Sequence, residues 1–205
     1  MSLSATVVAL ALATQSPAVP QGAYTSDKPH TSLTFRVSHM GFSSFTARFT
    51  GVDAALKLDP ENLTASSVSV KIDPASISSD NAPEGFLAML SGPQWLDAAR
   101  FPEMTFRSKT VELTGANTLR IRGDLTLHGV TRPVALDARY NGGYAGHPMD
   151  PHARVGFSAH GTFKRSDFGV SIGIPAPGSR MGVGDDVEVI VETEFSGPAL
   201  ANAAR

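Results

Sequence analysis

Several stretches of this 205-residue chain carry residue types that do chemistry, and most lose that reading once their surroundings are considered. In "GFSAHG" (156–161) a serine lies between glycines, as in a hydrolase nucleophile elbow. The spacing is wrong, however, and the serine sits in alternating strand sequence instead of a strand-to-helix turn. "MGVGDDV" (181–187) begins like a dinucleotide loop but lacks the third glycine and a following helix, so it reads as a turn. His147, Asp150 and His152 in "GGYAGHPMDPHAR" could ligate a metal, but two prolines and no helix leave them unfixed. Asp185, Asp186 and Glu188 offer paired carboxylates for acid–base work. Alternation puts Glu188, Glu192 and Glu194 on a polar outer face instead.

His39 is different because it shares a strand face with Leu33, Phe35 and Val37. As a general base it would support a hydrolase or isomerase acting on an apolar substrate. That requires an acidic partner or nucleophile within hydrogen-bond reach, and no inward Asp, Glu or Ser can be placed there. At the mouth of an apolar tube the same ring would orient a ligand head, or be satisfied by a backbone carbonyl.

The elements that would position these residues follow a period of two. The inward sets are Leu33–Phe35–Val37, Phe45–Ala47–Phe49, Leu56–Leu58 and Val68–Val70–Ile72. Met104–Phe106 reads as one strand and Val111–Leu113 as another. Leu119–Ile121–Leu125–Leu127, Val134–Leu136–Ala138, Val155–Phe157–Ala159 and Val187–Val189–Val191 follow. About eight or more antiparallel strands with one apolar face each must close, because open edges invite aggregation. Only 82–102, "APEGFLAMLSGPQWLDAARFP", departs from this pattern. Pro83 suits a first helical turn, and Gly92-Pro93 divides the stretch into two short helical pieces covering one end.

Composition narrows the function classes. Net charge is −2 and charged residues are 18%, so the basic excess of a nucleic-acid binder is missing. There is no cysteine, which excludes disulfides, thiolate metal sites and a Cys nucleophile. Ala5 to Ala13 form a short apolar run like the core of a secretory signal, although no Lys or Arg precedes Lys28. Export to the periplasm is therefore expected, with 1–23 as leader or disordered N-terminus, 24–197 as the folded domain and 198–205 as a tail.

"HTSLTFRVSHMGFSSFTARF" (30–49), "VSVKID" (68–73), "FPEMTFRS" (101–108), "LRIRGDLTLHGVTRPVAL" (119–136) and "FKRSDFGV" (163–170) occur in this order. Together they resemble the YceI-like family of periplasmic lipid-binding proteins. The resemblance implies an all-β fold: an extended, antiparallel, eight-stranded lipocalin-like β-barrel with one or two short helices over one end. It also implies a long apolar channel for an isoprenoid, isoprenoid quinone or fatty-acid derivative. No catalytic activity, cofactor or metal is implied, and members of the family often form homodimers. The membrane enters only as the source of the ligand. One departure bears on ligand identity: Trp95-Leu96-Asp97 stands where the family carries an aromatic pair.

The expected channel lining comes from three places. The first strands give Leu33, Phe35, Val37, His39, Phe45 and Phe49. The later strands give Val70, Phe106, Leu125, Leu127 and Phe157. The cover and the last long loop give Phe86, Leu90, Trp95 and Phe168. The stretch His128–Pro133 reads as a hairpin, with His128 and Arg132 stabilising a turn or lining the mouth. Arg165 and Asp167 are expected to pin a loop over one barrel end, with Phe168 turned inward.

Overall fold

The computed structural model describes residues 18–200. Most of the expected leader and most of the expected tail lie outside the described residues.

The alternating sequence forms ten strands and one short helix. The strands are β1 (Gly22–His39), β2 (Ser43–Phe49), β3 (Val52–Leu58), β4 (Ser67–Ile72) and β5 (Ile77–Ser78). The helix α1 (Phe86–Ser91) precedes β6 (Met104–Leu113), β7 (Thr118–Leu127), β8 (Val130–Tyr144), β9 (His152–Lys164) and β10 (Val183–Ala199). Eight of these strands form a closed antiparallel ring in the order β10-β9-β8-β7-β6-β4-β3-β1, with β1 pairing back onto β10. Closure removes the exposed edges that the apolar faces would otherwise leave.

The ring is not uniform along its axis. The chain enters at Gly22, at what we call the lower end, where β1 pairs with β3 through Gly22–Leu58 to Thr25–Ala55. A register shift in β1 between Ser26 and Thr31 then releases it from β3. From Leu33 to His39 the same strand pairs with β2. The upper part of the wall on this side is thus β2 and the short β5, followed by the segment 73–103 that carries α1. The outer strands extend slightly beyond 24–197. Gly22 and Ala23 already pair with Leu58 and Lys57, and β10 runs to Ala199, so strand begins before 24 and continues past 197.

At the lower end Tyr24, Leu58, Ala153, Val155 and Phe195 pack into one cluster, each no more than 3% exposed. The Tyr24 hydroxyl donates to Pro20 O at 2.6 Å. The Tyr24 ring lies directly over Gly197, where any Cβ would collide with it. The long extended pairing of β1 with β10 brings these residues together from opposite ends of the chain.

The upper end is built from longer connections. α1 has six residues, starts after Gly85 at φ 76° and has no side-chain cap. A helix this short is not stable alone; Leu90 anchors it against Ala47 and Ile77. The second expected helical piece is instead a run of turns: Trp95 N donates to Gly92 O, Leu96 N to Leu90 O and Phe101 N to Asp97 O. The physical reason is local. Gly92 leaves the helix in an extended conformation, Pro93 has no N–H to continue it, and Asp97 adopts φ 47°.

Candidate functional site: an apolar cavity along the barrel axis

Inside the ring lies a cavity of about 880 Å³. Its wall is built by the inward-facing residue of each strand pair. Val37, Leu56, Val187 and Leu125 are buried there at four different positions around the barrel. Aromatic rings fill the upper wall: Phe35 stacks on Phe49 at 5.4 Å between centroids and meets Phe45 edge-on at 6.3 Å. Phe86 of α1 then meets Phe45 edge-on at 5.5 Å, which ties the cover to the wall. Such pairs prefer offset or T-shaped packing and hold their neighbours in place.

Leu33, Phe35, Val37, His39, Phe45 and Phe49 all border the cavity. So do Val70, Phe106, Leu125, Leu127 and Phe157, and from the cover Phe86, Leu90 and Trp95. Phe168 does not. It is 1% exposed and packs edge-on against Phe163 at 5.3 Å, so it is a core residue behind the wall and not a lining one.

Polar side chains occur along the lining, including Ser66 and Ser67 near the lower end, and more of them gather at the upper end. Ser43 and Ser44 of β2, and Asp80 and Asn81 beyond β5, border the opening with His39. His39 pairs across the strands with Ser43, yet no hydrogen bond joins the two side chains among the described residues. A nucleophile–base pair is not assembled there.

Arg165 is the charged group that sequence reasoning places on a loop and not on the cavity. It is 4% exposed and borders the cavity. Its Nε donates to Gly184 O (2.8 Å), Nη1 to Val170 O (2.9 Å) and Nη2 to Val183 O (2.8 Å). The Trp95 ring lies over the guanidinium at 5.3 Å. Burial pushes the Arg165 pKa down, with the nearby Asp185 carboxylate opposing that shift. Arg165 pins the loop as expected, but Asp167 takes no part and is exposed. Asp185 holds the turn instead, accepting from Ser166 N (2.9 Å) and Ser166 Oγ (2.8 Å). The one signal for Arg165 was its place two residues after Phe163. The 3-10 turn Arg165–Phe168 resets which side faces inward, and strand alternation cannot see that.

The remaining chemistry-bearing stretches are structural. His128 and Gly129 take φ of 52° and 75°, the two positive values of a type I′ hairpin turn. His128 Nδ1 donates to Phe168 O at 3.2 Å, and the ring rests against Phe101 at 4.8 Å. Arg132 Nη1 donates to Thr131 O (3.3 Å) on the exposed surface, away from the cavity. Pro133 lies opposite Asp124, before β8 starts to pair with β9 at Asp137. Its missing N–H therefore costs no ladder bond. Ser158 points outward, accepting from Asn141 and donating to Glu192. Asp150 accepts from the Tyr144 hydroxyl and from Arg154, and does not gather His147 and His152 into a ligand set. The one group of three such ligands among the described residues is Asp27, His30 and Glu194. Arg154 already pairs with Asp27 there.

A YceI-like domain model matches residues 24–195. The chain belongs to the YceI-like family. A UPF0312 protein of Vibrio parahaemolyticus is 35% identical over 197 residues, covering 93% of this chain and 96% of that one. Among solved structures, Burkholderia cenocepacia BcnA superposes with a TM-score of 0.69 at 22% identity, covering 82% of this chain and 98% of that one. A polyisoprenoid binding domain from Saccharophagus degradans, implicated in plant cell wall breakdown, superposes with a TM-score of 0.61 at 14% identity. It covers 87% of this chain and 100% of that one. At such identities these two structures show the shared barrel, and the family membership rests on the sequence match.

Proposed function

We propose that this YceI-like barrel binds and carries one long-chain amphiphilic lipid, an isoprenoid or fatty-acid-type molecule, with its chain along the cavity. The carrying observation is the cavity itself: about 880 Å³, walled mostly by apolar side chains, with the ionisable lining residues His39, Asp80 and Arg165 at the upper end. The polyisoprenoid binding domain among its structural neighbours supports the same ligand class.

The energetics suit a tail-held ligand. Burial contributes about 0.8 kcal/mol per CH₂, so a chain of about 20 carbons gains on the order of 16 kcal/mol gross. Association costs about 4–15 kcal/mol. The tail therefore supplies the affinity, and the head chiefly sets orientation. The apolar run at Ala5–Ala13 supports a periplasmic setting, in which the membrane is the source of the ligand. The enzymatic reading has less behind it, because among the described residues His39 meets neither a carboxylate nor a bonded serine.

Protein purified without detergent and extracted with organic solvent should release a long-chain lipid near one molecule per chain, identified by mass spectrometry. Lipid-free protein that also takes up none when offered isoprenoid and fatty-acid probes would contradict the proposal.

A further inference from the structure

Among the described residues, the largely apolar cavity wall carries one buried charged side chain. Arg165 borders the cavity, is 4% exposed, and has no carboxylate within ion-pair distance among the described residues. The nearby Asp185 is engaged by Ser166 and approached by Lys164 at 3.9 Å. Three backbone carbonyls and the Trp95 face satisfy part of the guanidinium. A guanidinium has five N–H donors, and three are accounted for. Both Nη atoms thus keep a hydrogen with no acceptor among the described residues. A buried cation without a directly bonded anion is costly, even with the Asp185 carboxylate nearby, and an anion placed against it relieves that cost.

We propose that Arg165, backed by Trp95, receives the head group of the ligand, and that the head group is anionic: a carboxylate or a phosphate. This rests on the lipid-carrier reading and narrows it to acidic amphiphiles. The head sits beneath the loop 165–182, and the tail runs down the barrel past Leu125 and Leu56 toward Phe157 and Phe195. Planar guanidinium forks match both oxyanions bidentately. The mouth, in contrast, presents Asp80, which disfavours an anion there.

The test is titration of delipidated protein with matched pairs: hexadecanoic acid against hexadecan-1-ol, and farnesyl phosphate against farnesol, above the pKa of each acid. The proposal expects at least one anion to bind about 10-fold tighter or more than its alcohol, the size of one charge-assisted hydrogen bond. The carboxylate and phosphate pairs tell the two head groups apart. Arg165→Gln should bring the anion down to the level of its alcohol. Equal affinities within both pairs overturn this inference while leaving the lipid-carrier reading intact. A preference that survives in Arg165→Gln also overturns it. Binding of no probe overturns both. Should Arg165→Gln fail to fold, NMR of the slowly exchanging arginine Nε–H in the unmodified protein decides. A shift on adding the anion and none on adding the alcohol supports the proposal; no shift with either overturns it.

Discussion

The two ends of the barrel are built on different plans. At the lower end the connections are short: 59–66, 114–117 and 145–151. Large side chains fill the space between them, with Tyr24, Leu58 and Val155 essentially inaccessible. At the upper end two long connections, 73–103 and 165–182, cross the opening. They are held by a six-residue helix, a set of turns and one buried arginine. A core packed like the lower end transmits any loss of volume into global stability. A cover assembled from short pieces opens locally at low free-energy cost. The lower end therefore holds the fold together, and on the proposed lipid-carrier function the upper end is the route for ligand exchange.

Substitutions at the two ends should separate these roles. Leu58→Ala, at 0% exposure, should cost about 2–5 kcal/mol in denaturant unfolding and leave the lipid release rate unchanged. Faster release in this variant would break the distinction. Arg165→Ala should cost about 1–3 kcal/mol, because the carbonyls of Gly184, Val170 and Val183 lose their donor. A melting temperature equal to that of the parent protein would remove Arg165 from the account of the upper end. Leu90→Asp places a carboxylate between Ala47 and Ile77 and should detach α1. Release of a fluorescent fatty acid should accelerate about 10-fold, a change of about 1.4 kcal/mol in the local opening, with the far-ultraviolet β signal retained. Trp95 emission should shift between loaded and delipidated protein, since its ring borders the cavity.

The smallest effect belongs to the Tyr24 hydroxyl. Tyr24→Phe should cost about 0.5–1.5 kcal/mol through the lost bond to Pro20 O. Burial, reinforced by Tyr140, pushes the Tyr24 pKa up to about 12 from an ordinary 10.0. A raised folded-state pKa contributes stability that is fully present below 10.0 and is lost as pH rises toward 12. Unfolding free energy should therefore fall over that window in the parent protein and fall less in Tyr24→Phe. A pH dependence identical in both would place the ionisation elsewhere.

Much of the barrel was legible because a closed sheet with one buried face forces alternation on every strand. Leu33–Phe35–Val37 and Val187–Val189–Val191 read correctly and pair with each other in the structure. Bulges are where that reading slips. Met104–Phe106 and Val111–Leu113 read as separate strands; they are one strand, β6, with a register shift between Ser108 and Thr110 that changes which residues face inward. Sequence alternation likewise could not show that β1 changes partner from β3 to β2, because pairing is a property of two strands. The upper end was least legible. Nothing local told Phe168 from a lining residue, or made Asp185 rather than Asp167 the partner of the 3-10 turn. The Asp185 assignment depends on contacts across 19 positions of the chain.

The central claim is that the cavity holds a lipid tail, and a chain-length series tests it most directly. Saturated fatty acids of increasing length should bind delipidated protein one to one. Kd should fall with each added methylene, by up to about fourfold per step, until the cavity of about 880 Å³ is filled and the gain stops. Affinity that does not depend on chain length, or that keeps rising with no limit, would mean adsorption to the surface and would contradict the account.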